Sequence, residues 1–218
     1  MAGPQLRRGI VALGDSITRG RGGAPALGVH PQSWAQWLAE ALEQPFTNLA
    51  VDAATAGDVR AGQLPRLAGP YDLALLYVGA NDTRLLDWDP GAFERDVRAI
   101  VAALRAAADR VVVLTLPEDL GRPAAAPKPA QANAILRSLD AEIVELADFG
   151  GRRHVLPDAV HPTSAGMLAM ADRVAAALGA PTRPSALVDP PAGRVRYEAW
   201  WWRLWLRDAL RRALERHG

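Results

Sequence analysis

Apolar residues along this chain come in two rhythms. Short continuous runs at residues 8–13, 46–51, 73–78, 111–116 and 154–156 end at Gly, Asp or Pro. Runs of that length and punctuation read as strands covered on both faces. Between them, apolar positions recur at helical spacing. Ser33 is a candidate N-cap for a helix from Trp34 to about residue 42, and Asp58 for a short one to about residue 67. Asp89 followed by Pro90 opens a helix through residue 107. Another helix over 130–149 closes at Gly150-Gly151, and Thr163 or Ser164 caps one to about residue 178. Five strands alternating with helices predict a parallel sheet. Right-handed crossovers then place helices on both faces, a three-layer α/β/α, flavodoxin-like domain over residues 1–180. Residues 181–193 read as a Pro-rich connector. Residues 194–218 read as an amphipathic helix with Trp202, Leu206, Ala209, Leu210 and Ala213 on one side.

Composition narrows the function. Of 218 residues, 50% are hydrophobic and 22% charged, enough for one core plus an appendage. The net charge of +1 gives no chain-wide reason to expect nucleic acid. No cysteine is present, which removes disulfides, thiolate metal sites and cysteine nucleophiles. The four histidines show no metal-ligand spacing, so neither metal nor cofactor is expected. No apolar run approaches the ~18–20 residues that span a bilayer. The stretch after Arg7 and Arg8 stops at Gly14, too short for a secretory leader, so a cytoplasmic location is expected. The charge is uneven. Residues 194–218 hold seven arginines against three acidic residues, a surplus of four, and four of the seven tryptophans.

Four polar clusters follow expected strand ends: Gly14-Asp15-Ser16, Asp52 to Thr55, Gly79-Ala80-Asn81-Asp82, and Asp158 to Pro162. Ligands in parallel α/β sheets bind at that edge. Acyl transfer needs what they offer. A serine is a poor nucleophile until a base takes its proton, and histidine titrates in the right range. Asp158, three residues before His161, can orient the imidazole. A developing oxyanion needs fixed donors, worth ~3 kcal/mol each. Backbone N–H groups near Ser16 and the Asn81 amide can supply them. Asp15 and Asp82 read as braces for their turns. The Gly-rich stretch at 20–28 lacks the Gly-Lys-Ser/Thr ending of a phosphate loop.

With those residues the chain resembles the SGNH/GDSL hydrolase family of serine esterases and lipases over roughly residues 8–180. The resemblance implies Ser16 as nucleophile, Asp158 and His161 as its triad partners, and Asn81 as oxyanion donor. The second motif departs. The family's glycine, counted from Asn48, falls on Ala53. Its N–H would join those of Ser16 and the Asn81 side chain. Alanine is harmless there at negative φ and costs ~1 kcal/mol or more at positive φ. The tail resembles a basic, Trp-containing extension of the family's actinobacterial branch.

The expected activity is therefore cofactor-independent hydrolysis of a short- or medium-chain acyl ester or a lysophospholipid. Carbohydrate O-deacetylation and thioester hydrolysis use the same machinery. A catalytically inactive binding module on the same fold is the reading from a different class. The tail has three places to go: packed on the domain, at a contact between copies in a homo-oligomer, or at a membrane surface.

Overall fold

The computed structural model describes residues 8–22, 29–119, 127–189 and 194–215. Five parallel strands form the sheet: β1 (Ile10–Gly14), β2 (Phe46–Asn48), β3 (Tyr71–Tyr77), β4 (Ala108–Leu114) and β5 (Glu142–Val144). Their order is β2-β1-β3-β4-β5, the flavodoxin-like arrangement. β1 is buried along its whole length and β3 almost so, which is why both read as unbroken apolar runs.

Capping explains where most helices begin. Ser33 accepts from Gln36 N and starts α2 (Trp34–Ala41). Asp89 accepts from Gly91 and Ala92 N and starts α4 (Pro90–Ala107). Thr163 accepts from Gly166 N and starts α6 (Ser164–Ala177). α1 (Ser16–Arg19) is a single turn after β1, and α5 (Lys128–Arg137) precedes β5. One cluster of buried side chains joins both faces of the sheet to these helices.

Three expectations need correction. The short helix after β2 is capped by Thr55, with Asp58 as its reciprocal partner three residues on. This α3 (Ala56–Asp58) continues into a π turn at Val59–Gln63 and a 3-10 turn at Leu64–Arg66. The helix expected over 130–149 stops at Arg137, and its second half holds β5. There Glu142, Ile143 and Val144 pair with Val112, Val113 and Leu114. The segment 154–156 is no strand. Val155 makes one antiparallel bridge to Pro162, and Pro157 has no N–H to extend a ladder. Its apolar character serves packing: His154 stacks on Phe149 with ring centres 5.4 Å apart.

Of the three places open to the tail, the structure has it packed on the domain. α7 (Arg194–Glu215) is helical as expected, and the face it docks is not the one marked by Trp202, Leu206 and Leu210. Among its described side chains, Tyr197 and Trp201 are the buried ones. The Tyr197 hydroxyl donates to Arg152 O, and Trp201 Nε1 donates to Val155 O at 3.1 Å. The expected apolar face is exposed at Trp202, Leu206 and Leu210.

Candidate active site

The chain leaves β1 through Gly14, where φ is 145° and a Cβ would lie 2.1 Å from Tyr77 O. Only glycine fits. Asp15 then caps α1 by accepting from Ile17 N at 2.9 Å. This sets Ser16 at the first helical position, where the N–H has no acceptor within the helix. Asp15 is buried, and burial pushes its carboxyl up to about 7 against the opposing Ile17 N–H and His161 charge. Its Oδ2 has no hydrogen-bond partner.

Ser16 Oγ lies 3.2 Å from His161 Nε2, and His161 Nδ1 lies 2.7 Å from Asp158 Oδ2. Serine and histidine are 145 residues apart in the chain and meet at one edge of the sheet. The other Asp158 oxygen accepts from Val160 N at 2.9 Å and His161 N at 3.0 Å. The turn between them carries Ala159 at φ 57°. Burial alone would raise the Asp158 carboxyl. The His161 ring and the two backbone N–H groups outweigh it and hold the acid below its usual range. The carboxylate is thus kept ionised against His161 Nδ1, which fixes the imidazole with Nε2 toward the serine.

The second and third clusters are knitted together. Asn81 Nδ2 donates to Ala54 O at 3.1 Å, and both Asp82 oxygens accept from Ala56 N. Burial raises the Asp82 carboxyl pKa, with the Ala56 N–H opposing. Ala53 adopts φ 61°, the left-handed region, so this alanine sits where glycine is at ease. Ser16, His161, Asp158, Asn81 and Ala53 all lie on these linked loops.

Two contributors escaped the sequence reading. Gln63 is buried, and its amide accepts from Gly14 N at 2.9 Å and donates to Gly14 O at 2.8 Å. Gly22 is the other. Its φ is 103°, and a Cβ there would lie 2.6 Å from His161 Cβ. Neither carries a local signal, because each partner is more than forty residues away or defined by an unusual backbone angle.

A cavity of about 140 Å³ opens between the Asn81 and His161 loops. Tyr77, Ala80, Leu116, Ala159 and Val160 give it an apolar wall, and Arg84 and Glu118 stand in its lining. Among the described residues, no group of three His, Asp or Glu side chains could hold a metal ion.

Residues 12–169 match the family model described as "GDSL-like Lipase/Acylhydrolase family". The chain belongs to this family. As a GDSL-family acylhydrolase it is an enzyme that hydrolyses esters. No curated protein matches it at a significant level. Among solved structures it is similar to LAE5, an alpha/beta hydrolase enzyme from the metagenome of Lake Arreo, Spain. That match has TM-score 0.64 and 18% identity over 79% of this chain and 95% of the other. It is also similar to TesA, with TM-score 0.62 and 21% identity over 78% and 97%. Axe2, an acetylxylan esterase from Geobacillus stearothermophilus, aligns with TM-score 0.58 and 16% identity over 79% and 94%. At those identities the likeness concerns the fold. The acylhydrolase shares with them the parallel sheet on which its loops are mounted.

Proposed function

We propose that this acylhydrolase is a serine esterase for short- to medium-chain acyl esters, with Ser16, His161 and Asp158 as its catalytic triad. The observation that carries the reading is the unbroken relay from Ser16 Oγ through the His161 ring to Asp158 Oδ2. His161 Nε2 takes the serine proton as Oγ attacks the ester carbonyl. The resulting imidazolium is stabilised by the Asp158 carboxylate at Nδ1. The proton then passes to the leaving alcohol. In the second half, His161 takes a proton from water, which attacks the acyl-enzyme and releases the acid and free Ser16.

The oxyanion is met by the N–H of Ser16, the N–H of Ala53 and the Asn81 amide. Asn81 spends one N–H on Ala54 O, and its second N–H is available to the substrate. The cavity beside Asn81 is the acyl pocket. At about 140 Å³ it is close to the ~150 Å³ of an engineered cavity that admits benzene. That size favours acyl chains of roughly four to six carbons over long ones.

The test is hydrolysis of p-nitrophenyl esters from acetate to octanoate by the wild type and Ser16→Ala. Fluorophosphonate labelling of the same two proteins runs beside it. Activity with a maximum at butyrate or hexanoate, lost in the variant together with the label, supports the reading. Activity retained by Ser16→Ala overturns the serine assignment. A maximum at acetate overturns the pocket assignment and favours a deacetylase.

A further inference from the structure

The docked face of α7 uses Tyr197 and Trp201 and leaves a second apolar face bare. At 3.6 residues per turn, Val195, Trp202, Leu206 and Leu210 fall within an arc of about 80°. Val195 is 83% exposed, Leu206 55% and Leu210 58%. Trp205 extends the stripe on one side, its ring centre 5.5 Å from that of Trp202. On the other side the next about 60° of the helix carries Arg196, Arg203 and Arg207, all exposed. A bare apolar stripe edged by three exposed arginines, on a helix seated by its opposite face, has the pattern of an element lying in a membrane interface.

The charge argues for anionic lipid in particular. Residues 194–218 carry a surplus of four positive charges, while the rest of the chain is net negative. The long arginine stems can lie along apolar surface and keep their guanidinium groups at headgroup level. The exposed tryptophans suit the same depth. Antiparallel pairing with a second copy through this stripe would set one arginine edge against the other. Among the described residues no helix is long and apolar enough to cross a membrane, so the pattern is that of a surface-lying element and not of a spanning one.

We infer that the exposed face of α7 binds the surface of anionic membranes. The binding couples to the active edge through short links. Trp201 donates to Val155 O, Val155 bridges Pro162, and Leu156 N donates to His161 O at 2.9 Å. Arg152 supports the arrangement, its guanidinium carbon 5.0 Å from the Trp202 ring centre. The docked face of α7 therefore abuts the segment that leads to His161, and the membrane face lies on the far side of the same helix.

The test is flotation of the full chain with vesicles of phosphatidylcholine alone and with about one third phosphatidylglycerol. The wild type is expected to float with the anionic vesicles and not with the neutral ones. Leu206→Glu/Leu210→Glu and Arg203→Ala/Arg207→Ala should each weaken binding about tenfold or more. Both variants change exposed side chains and should keep the Tm and the hydrolysis of a soluble p-nitrophenyl ester. No flotation, equal flotation with neutral vesicles, or flotation unaffected by both variants overturns the inference. So does a dimer without vesicles that Leu206→Glu/Leu210→Glu dissociates, which would make the stripe a contact between copies. Because flotation needs no turnover, its failure is separate from failure of the esterase reading.

Discussion

Gly22 rests directly against His161. A Cβ at Gly22 would lie 2.6 Å from His161 Cβ and 2.7 Å from Pro162 O, and the backbone there has φ 103°. The contact presses the start of the 20–28 segment onto the loop that carries the imidazole. Gly22→Ala must therefore move one loop or the other. We expect kcat to fall by roughly tenfold to a hundredfold, since displacement of about 1 Å at reacting groups can cost that much. Steady-state kinetics with a p-nitrophenyl ester checks this. Unchanged kcat would mean that the segment at Gly22 yields and His161 stays.

Gln63 completes the hydrogen bonding at the end of β1. On one side Gly14 aligns with Tyr77 of β3, and on the other Val51 N, just beyond β2, donates to Gly14 O at 3.1 Å. The Gln63 amide accepts from Gly14 N and adds a second bond to Gly14 O, two residues before Ser16. Gln63→Leu keeps the bulk and removes both bonds in a buried place. The expected loss is about 2 kcal/mol, or a fall in Tm of roughly 4–8 °C. Thermal unfolding measures it. A Tm within 1 °C of the wild type (about 0.3–0.5 kcal/mol) would show that water or backbone movement replaces the amide.

Ala53 holds a positive φ of 61° where the family resemblance leads one to expect glycine. The strain of a left-handed alanine is about 1–2 kcal/mol, and the entropy cost of glycine returns about half of it. Ala53→Gly should therefore stabilise by about 0.5–1 kcal/mol and raise Tm by roughly 1–4 °C. The backbone N–H survives the change, so esterase activity should be kept. Ala53→Val, β-branched at the same φ, should lose stability and activity together. A lower Tm in Ala53→Gly would count against strain at this position.

The parts of this molecule that announce themselves in sequence are those with local causes. Ser33, Asp89 and Thr163 cap helices through N–H groups within three residues; the first two are the caps the sequence predicts, and Thr163 is one of the two it offers for the third. β1 and β3 are buried on both faces and show it as apolar runs. The clusters around Ser16 and Asn81 are legible as motifs at the ends of β1 and β3, while the His161 cluster reaches the same edge without the strand at 154–156 that the sequence predicts before it. β5 was not, because Glu142–Val144 is three residues long and no Gly or Pro separates it from α5. The run at 154–156 misled because burial under α7 looks the same in sequence as burial in a sheet. Helical periodicity found an apolar face on α7, but could not say that Tyr197 and Trp201 would win the contact with the domain. Gln63 lies 49 residues from Gly14, beyond any local pattern.

Asp15 makes stability depend on pH in a direction opposite to that of a salt-bridged acid. Its carboxyl is raised from 3.8 to about 7 in the folded chain, chiefly by burial. Between those values the folded state holds a proton that the unfolded chain has released. The unfolded state then binds fewer protons, so stability falls as pH rises through this window and levels off above about 7. Asp15→Asn keeps an oxygen for Ile17 N and cannot ionise. It leaves a buried NH2 where Oδ2 has no partner, an expected cost of about 1–3 kcal/mol at low pH. The variant should therefore be the less stable protein near pH 4 and gain steadily on the wild type up to pH 7. Melting both proteins in parallel between pH 4 and 8 reads this group together with its coupling to Asp82, while His154 titrates alike in each. Two curves that stay parallel across the range would refute a buried, neutral Asp15 beneath the serine.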